Sequence, residues 1–323
     1  MNINDLWRCG CVKKFLFLLS SGAGRGKSIR YIRDIRHVFT SCGMQDMLEV
    51  RLTEHENHVI ELAREFSCEQ GENGVVYACG GDGSLGEAAS AVLGTGCALG
   101  VIPLGTGNDF AKSVLPTLDA KKLFAATPNP QIRPIDIIAL RMNAEEKPSA
   151  YCINVMSFGF DTLILAKTYA LQEKFPFLGG MSYFGGVGVS LFSNKSFLTR
   201  VGFTRGDGSV VEYEDDFILS ALCNGGYYGN GFYPAPMAEV DDGVLHLLLA
   251  KSMSTAQILP LIIKYRKGTV AGDPRVRMES VVSGFFEGVN KPIIGNYDGT
   301  IFEAQRIDFE ILPRSLPFAF LDV

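Results

Sequence analysis

Residues 75–111 read VVYACGGDGSLGEAASAVLGTGCALGVIPLGTGNDFA, and this stretch decides the fold. Twice in it, an apolar run ends in a glycine-rich turn. The run at 75–79 precedes GGDGS at 80–84, and the run at 97–104 precedes GTGND at 105–109. Short apolar runs bounded by glycine are typical of buried parallel strands. The stretch therefore predicts two consecutive strand–turn–helix units of an α/β sheet.

Both turns have the composition of an anion-binding loop. Glycine lets the backbone approach a ligand closely, and the unpaired N–H groups of a helix start suit phosphate. Ser84 and Glu87 have the spacing of a capping box, which predicts a helix that begins at Ser84. Asp82 and Asp109 place an acid in each turn, suited to Mg²⁺ or to a proton. We expect the turns to share one crevice; the alternative is two ordinary turns without a ligand.

The two motifs together resemble a known family. GGDGS followed by PLGTGNDFA at 103–111 is similar to the catalytic domain of diacylglycerol kinases, sphingosine kinases and bacterial lipid kinases. GGDGS alone also resembles turns of phosphofructokinases and NAD kinases, whereas GTGNDFA at this distance favours the lipid kinases. The resemblance implies ATP and Mg²⁺ as cofactors and Asp82 as the organiser of both. The nucleotide-binding residues implied in this stretch are Gly80, Gly81, Asp82, Gly83, Ser84, Gly105, Thr106, Asn108 and Asp109.

A third glycine-rich segment, SGAGRGKS at 21–28, follows the predicted first strand. It leaves three residues between Gly22 and Gly26, where a Walker A loop needs four. It resembles the first motif of the same family, although that motif usually begins Asn-Pro. The alternative is a solvated loop. The implied phosphate cradle consists of Ser21, Gly22, Arg25 and Lys27.

The chain up to residue 134 alternates strands and helices, which predicts a doubly wound parallel sheet. Helices are expected at 28–41, 54–67 and 119–126, and the second strand at 47–52. Thr53 follows that strand. The resemblance implies that Thr53 contacts the nucleotide, whereas its residue type alone suggests a helix N-cap.

From residue 132 onward, strand-like runs predict an antiparallel sandwich. The predicted fold class is therefore an N-terminal doubly wound, phosphofructokinase- or NAD kinase-like α/β domain at 12–134 and a C-terminal antiparallel β-sandwich at 135–312. The segment 313–323 is expected to return to the first domain. The strand-like runs are 133–142, 150–156, 197–204, 210–213, 217–223, 244–249, 276–286 and 307–312. Helices are expected at 161–191 and 258–266.

Two adjacent acids, Asp241 and Asp242, precede a glycine within NGFYPAPMAEVDDGVL at 230–245. Oxygen ligands of this kind suit a hard cation. The family resemblance implies a structural Mg²⁺ bound by Asp242, with Asp241 beside it and with carbonyls of Glu239 and Val244. The alternative is a solvated Asp-Asp-Gly turn.

The segment NYDGT at 296–300 lies where the family has Asp-Gly-Glu. That glutamate is the implied general base, and here the position is Thr300, which cannot act as a base at neutral pH. Either Asp298 takes the proton, or Glu303 reaches in, or the protein is catalytically impaired. Asp298 is the predicted base. Asp161, in the similar segment 154–161, either faces the substrate or caps a helix.

Composition limits the class of protein. The 323 residues carry a net charge of −5, which argues against a generic nucleic-acid binder. The eight scattered cysteines suggest reduced thiols in a cytoplasmic protein, and no apolar run is long enough to span a membrane. Membrane contact would be peripheral, at the inner face. The apolar region 175–192 suggests an acyl-chain slot. The cations Lys264, Arg266, Lys267, Arg275 and Arg277 suit anionic headgroups, with a solvated face as the alternative.

The expected function is an ATP-dependent lipid kinase that phosphorylates a diacylglycerol-like alcohol at an interdomain cleft. One alternative is a soluble-substrate kinase of the NAD kinase type. Another is a nucleotide- or lipid-binding homologue that has lost turnover. A homodimer is left open.

Overall fold

The computed structural model describes residues 14–20, 28–55, 57–163, 165 and 196–323. The described chain divides into two compact units, one within Met1–Ile137 and Pro313–Val323 and the other within Ile138–Leu312. Two strands, Gln131–Met142 and Arg306–Phe320, contribute residues to both units. Three predicted features lie outside the described residues. They are the glycine-rich segment at 21–27, the acyl-chain slot at 175–192 and nearly all of the helix expected at 161–191.

The first unit contains a parallel sheet flanked by helices. Its strands are β1 Lys14–Ser20, β2 Leu48–Thr53, β3 Gly74–Gly80, β4 Ala98–Pro103, the first part of β5 Gln131–Met142 and the end of β15 Arg306–Phe320. Its helices are α1 Ser28–Ser41, α2 His58–Gln70, α3 Asp82–Val92, α4 Asp109–Val114 and α5 Ala120–Ala126, with 3₁₀ turns at Gln45–Met47 and Gly71–Asn73.

The strand order in this sheet is β2-β1-β3-β4-β15, and these pairs run parallel. From β1 the chain goes to β2 on one side and then crosses to β3 on the other. Phe318 near the chain end pairs with Leu99 of β4. The carboxyl ends of all these strands lie along one edge.

Large aromatic side chains pack on one face of this sheet. Phe15 and Phe17 of β1, Phe39 of α1 and Tyr77 of β3 are fully buried. The Phe17 ring centroid lies 4.8 Å from that of Tyr77 and 5.6 Å from that of Phe39. This packing fixes β1 beside β3.

The strands predicted at 47–52, 75–79 and 97–104 are found within one residue of their expected ends. Helix α1 has the predicted bounds. Helix α2 begins at His58 and not at residue 54, because Asn57 adopts a left-handed conformation with φ of 64° and ends the connecting segment there. The prediction of Thr53 as a helix N-cap is therefore wrong.

The second unit is built on antiparallel strands. They are the end of β5 Gln131–Met142, β6 Ala150–Cys152, β7 Val155–Gly159, β8 Phe197–Thr204, β9 Val210–Cys223, β10 Leu245–Lys251, β11 Val276–Val281, β12 Ser283–Gly288, β13 Ile293–Tyr297, β14 Thr300–Ala304 and the first part of β15. The strands pair in the order β14-β13-β7-β9-β8-β12-β15; β10 joins β9 to β11, and β6 pairs with β5. The helix α6 Thr255–Lys267 lies between β10 and β11 in the chain.

Successive side chains of these strands point to opposite faces of the sheet, because a strand has a two-residue period. They pack in two separate apolar clusters, one on each face. Leu222 and Leu247 pack in one cluster, whereas Ala221 and Leu248 pack in the other. The second cluster includes the buried side of α6. The sheet therefore has an apolar layer on both faces.

Several strand limits differ from prediction. The runs 210–213 and 217–223 form one strand, β9, whose polar middle alternates between exposed and half-buried positions. The runs 150–156 and 276–286 are each divided into two strands. Strands β13 and β14 were not predicted, because glycine, asparagine and glutamate interrupt their apolar pattern.

Within the described ranges, no helix combines the length and apolar character needed to cross a bilayer.

Candidate active site

The first unit has a topological switch point between β1 and β3, because the chain leaves these neighbouring strands in opposite directions. In open α/β sheets, ligands bind outside the carboxyl ends of the strands at such a point. The segments that follow β1 and β3 there are residues 21–27, outside the described residues, and Gly80-Gly81-Asp82.

The two glycine-rich turns lie side by side at this edge. The backbone N–H groups of Leu104 and Gly105 both donate to the Gly80 carbonyl, at 2.9 and 3.0 Å. A Cβ atom on Gly105 would lie only 2.4 Å from Gly81 Cα. The absence of a side chain at Gly105 is therefore what allows the two turns to touch.

Asp82 joins the first turn to the second. Its Oδ1 accepts the Phe110 N–H at 3.1 Å, and a Cβ on Gly107 would lie 2.9 Å from its Oδ2. Burial raises the pKa of Asp82, and the nearby Asp109 carboxylate raises it further. Asp109 is buried and pairs with Lys112 at 2.7 Å. Two close carboxylates at a sheet edge form an oxygen donor set that fits Mg²⁺.

Asn108 closes the second turn. Its backbone is left-handed, with φ of 52°. Its side chain both accepts a hydrogen bond from Gly105 and donates one to it. The Gly105 N–H donates to Asn108 Oδ1 at 3.0 Å, and Asn108 Nδ2 donates to the Gly105 carbonyl at 2.9 Å. Thr106 is exposed at the tip of the closed loop.

Helix α3 begins at Asp82, so the capping-box prediction at Ser84 is wrong. Gly81 is the N-cap, and within the described part of the chain no side-chain hydrogen bond is found at this cap position. Ser84 instead lies in the first turn, where its Oγ would be 2.8 Å from a Cβ on Gly80. The start of α3 therefore presents backbone N–H groups without a capping side chain, an arrangement that suits an anion.

In the second unit, Asp298 and Gly299 form the two-residue turn between β13 and β14. Their φ angles of 47° and 88° are both positive, as expected for the Asp-Gly turn of a tight hairpin. The turn points the Asp298 carboxylate at the segment between β6 and β7. The N–H groups of Ile153, Asn154 and Val155 donate to it at 2.7, 3.0 and 3.3 Å.

Burial raises the pKa of Asp298 to about 6, although these three N–H donors and the Cys152 thiol lower it. Glu303, the other predicted candidate for the base, is exposed on β14, as is Thr300, which cannot act as a base. Asp298 is half-buried, and its pKa is raised toward neutrality.

Comparison with known proteins identifies the family. Residues 14–140 match the diacylglycerol kinase catalytic domain, and residues 154–320 match the YegS C-terminal NAD kinase beta sandwich-like domain. A "Probable lipid kinase YegS-like" of Xanthomonas oryzae pv. oryzae (strain MAFF 311018) is 32% identical over 280 residues, 83% of this chain and 85% of the relative. This chain belongs to the YegS-like lipid kinase family.

A second relative is similar over most of the chain, and a solved structure has the same fold. A YegS-like relative of Stenotrophomonas maltophilia (strain K279a) is 28% identical over 84% of this chain and 86% of its own length. A crystal structure of a diacylglycerol kinase from Bacillus anthracis str. Sterne superposes with a TM-score of 0.68 at 17% identity, covering 95% of this chain and 97% of that one. The predicted fold class, α/β followed by a β-sandwich, is confirmed.

Thr53 and the four residues of the predicted phosphate cradle are predicted nucleotide contacts of this YegS-like chain. Thr53 lies at the carboxyl end of β2, buried, and its Oγ1 donates to the Leu19 carbonyl at 3.4 Å. Thr53 therefore lies at the carboxyl edge of the sheet with its hydroxyl bonded to the neighbouring strand, and its contact with a nucleotide stays a prediction. The cradle residues Ser21, Gly22, Arg25 and Lys27 lie outside the described residues.

The residues of the predicted Mg²⁺ site near Asp242 form a turn. Asp242 is exposed, and its Oδ1 accepts the Val244 N–H at 2.9 Å across Gly243, whose φ is 77°. This bond closes the turn. The site, with Asp241 and the carbonyls of Glu239 and Val244, stays a prediction.

A different cluster of metal-ligating groups occurs among the described residues. Ligand atoms of His55, His58 and Glu61 lie within 4.8 Å of one another. The rings of His55 and His58 stack at 4.2 Å, and His58 Nδ1 accepts the Glu54 N–H. His55 precedes α2, and His58 is its first residue.

Sequence reasoning missed two residues beside the predicted acids. Gly107 leaves room next to Asp82, and Lys112 is the cation that faces Asp109. The signal for Lys112 was present, because residues three apart on a helix lie on the same side. Asp161 lies in the helical segment 160–163, where its Oδ1 accepts the Thr162 N–H at 2.8 Å, and its role stays a prediction.

The close approach of the turns predicts opposite effects of two glycine substitutions. Gly105→Ala would place a methyl group against Gly81, and we expect the free energy of unfolding to fall by about 1–3 kcal/mol. Gly83→Ala is the matched control, because its Cβ would meet no atom within 4 Å and alanine favours helix. Neither glycine has its φ in the left-handed region. Urea unfolding of both variants measures the difference; equal stabilities would contradict the packing described.

Proposed function

We propose that this protein is an ATP-dependent lipid kinase that transfers the γ-phosphate to the hydroxyl of a diacylglycerol-like lipid alcohol. The observation that carries the proposal is the pair of touching glycine turns, with Asp82 between them, at the switch point of the parallel sheet. Family membership supports lipid kinase chemistry in general. The particular alcohol and the use of ATP with Mg²⁺ are part of the proposal.

The proposed nucleotide site uses the first unit. Backbone N–H groups at the start of α3 bind phosphate oxygens, and the exposed glycine turn at 105–107 covers them. Asp82 and Asp109 would hold Mg²⁺, whose charge offsets the charge on the phosphates during transfer. A bound divalent cation would also relieve the repulsion that raises the Asp82 pKa. In this scheme the chain itself contributes positioning and electrostatics.

Asp298 is the proposed general base. A carboxylate with a pKa of about 6 is mostly ionised at neutral pH, and it is a stronger base than an exposed aspartate. It would accept the hydroxyl proton of the lipid alcohol. Its three N–H donors hold the carboxylate in one orientation.

A lipid alcohol is supplied by a membrane, so the proposal includes peripheral contact with the cytoplasmic face of the inner membrane. Nucleic acid has no part in it.

The function is tested by incubating the protein with γ-labelled ATP and Mg²⁺ in detergent micelles that contain diacylglycerol, a sphingoid base or no lipid alcohol. Label should appear in a lipid alcohol and not in NAD or sugar phosphates supplied without lipid. Label in a soluble acceptor alone would support the NAD kinase-type alternative instead. If no lipid alcohol is labelled by folded protein, the proposal is rejected.

One observation favours a second candidate, a nucleotide- or lipid-binding homologue that has lost turnover. The Asp298 carboxylate already accepts three backbone N–H groups, and Thr300 offers no carboxylate. This candidate predicts that Thr300→Glu raises phosphate transfer at least about 100-fold, the scale of general-base catalysis. Thr300→Gln is the matched control, since glutamine has nearly the same size as glutamate and carries no charge. If both variants transfer phosphate at the same rate as the unchanged protein, the lost-turnover reading fails.

A further inference from the structure

Helix α6 (Thr255–Lys267) has apolar residues on both sides. Ile258, Leu261 and Tyr265 are buried against the second unit. On the opposite side, Leu259 and Ile263 are 51% and 57% exposed. These two lie four residues apart, so their side chains are neighbours on one outward face.

Two cations lie on the same outward face, at the C-terminal end of α6. Arg266 and Lys267 lie three and four residues after Ile263, and both are exposed. Neither forms an ion pair with a carboxylate of the described chain. The other cations of this region are engaged, since Asp273 binds Lys264 and Arg275, and Glu279 binds Arg277. The outward face thus presents two aliphatic side chains followed by two unneutralised charges.

The helix is held in this orientation from both ends. Ser254 and Gln257 form a capping box at its start, and Gly268, with φ of 71°, ends it. Asp273 is almost fully buried and ties Lys264 to Arg275 with contacts of 2.7 to 2.9 Å. The outward face is therefore positioned by contacts at both ends of the helix.

We propose that α6 docks the protein on an anionic lipid bilayer. Leu259 and Ile263 would enter the boundary between headgroups and acyl chains, and Arg266 and Lys267 would contact lipid phosphates. This inference rests on the proposed function, which requires access to a membrane-borne alcohol. Charge complementarity identifies the occupant: the protein as a whole carries a net charge of −5 and would be repelled by an anionic surface, so contact has to occur through a local basic site.

Co-sedimentation with vesicles tests the surface directly. The unchanged protein should sediment with equimolar phosphatidylglycerol–phosphatidylcholine vesicles and much less with phosphatidylcholine alone. Arg266→Gln with Lys267→Gln should weaken binding to anionic vesicles about 30-fold, at about 1 kcal/mol for each cation. Leu259→Gln with Ile263→Gln should abolish sedimentation with both kinds of vesicle.

Matched controls replace exposed aliphatic residues elsewhere in the second unit. Val210→Gln with Val289→Gln, at positions 73% and 41% exposed, should bind vesicles as the unchanged protein does. Thermal melting checks that each variant is folded. If the α6 variants bind anionic vesicles normally, the proposal is overturned. A change in their molar mass by ultracentrifugation, with vesicle binding kept, would show a contact between copies of the chain instead.

The same variants separate this proposal from the proposed function. Phosphate transfer to a short-chain, water-soluble diacylglycerol should be unchanged by the α6 substitutions and reduced only when the substrate is in vesicles. If the unchanged protein transfers no phosphate to any lipid yet its vesicle binding depends on α6, the function fails and the docking surface stands.

Discussion

Replacing Asp82 with asparagine should lower phosphate transfer at least about 10³-fold, the scale of losing one well-placed electrostatic group in an active site. Asparagine has the same shape and can still accept the Phe110 N–H bond through its Oδ1. It removes the negative charge that would hold Mg²⁺ beside the phosphates. The rate of label transfer from γ-labelled ATP, measured with micellar diacylglycerol, gives the size of the effect.

The same substitution should leave the apo protein as stable as before, or more stable. The folded-state pKa of Asp82 is raised above its ordinary value of 3.8, so its contribution to stability is greatest below that pH and is lost as pH rises. At neutral pH the ionised carboxylate therefore destabilises the fold, and asparagine removes that penalty. The melting temperature should rise at neutral pH and change little in acid.

Asp46→Asn is the matched control for Asp82→Asn, because it makes the same chemical change before β2, at the opposite edge of the parallel sheet. It should leave transfer unchanged. If Asp82→Asn keeps full activity, or if its loss of activity is matched by a loss of folded protein, Asp82 does not have the proposed role.

The second large effect is expected at Asp298. The kcat/KM of the unchanged protein should rise with pH through an apparent pKa of about 6, because the base must be ionised to accept a proton. Asp298→Asn should lower kcat/KM at neutral pH about 100-fold or more and remove this rise. Rates measured across a pH series, and corrected for the folded fraction, give both values.

The free energy of unfolding should have the opposite pH dependence to kcat/KM in the part that Asp298 contributes. Since the pKa of Asp298 is raised from 3.8 to about 6, its contribution to stability is full below 3.8 and is lost as pH rises through about 6. Asp298→Asn also places an NH₂ group among N–H donors, which should lower the free energy of unfolding by about 1–3 kcal/mol. If folded Asp298→Asn keeps the kcat/KM and pH profile of the unchanged protein, Asp298 only holds the hairpin in place.

The parallel sheet and its two glycine turns were predictable because both signals are local. The apolar runs before residues 80 and 105 are buried strands, and parallel neighbours bring their carboxyl ends to one edge. The contact between the two turns could not be predicted from the apolar pattern of the sequence, because it depends on the missing Cβ at Gly105. The start of α3 was mispredicted because the spacing of Ser84 and Glu87 allows a capping box but does not require one. Gly81 is the N-cap, and the helix begins two residues earlier, at Asp82.

The second unit was less predictable because its strands depend on partners distant in sequence. Residues 293–304 have a weak apolar pattern, yet they form a hairpin because Asp298 and Gly299 favour the tight turn and β7 offers an edge. The bonds from the segment after β6 to Asp298 join residues more than 140 positions apart. No periodicity in one segment can show such a contact.

The most direct test of the central claim is a crystal structure of the protein with Mg²⁺ and a non-hydrolysable ATP analogue. The triphosphate should lie at the carboxyl edge of the parallel sheet, between the turn at 80–84 and the turn at 105–109, with its cation bound by Asp82. A nucleotide bound elsewhere, or a triphosphate that contacts neither turn, would contradict the account.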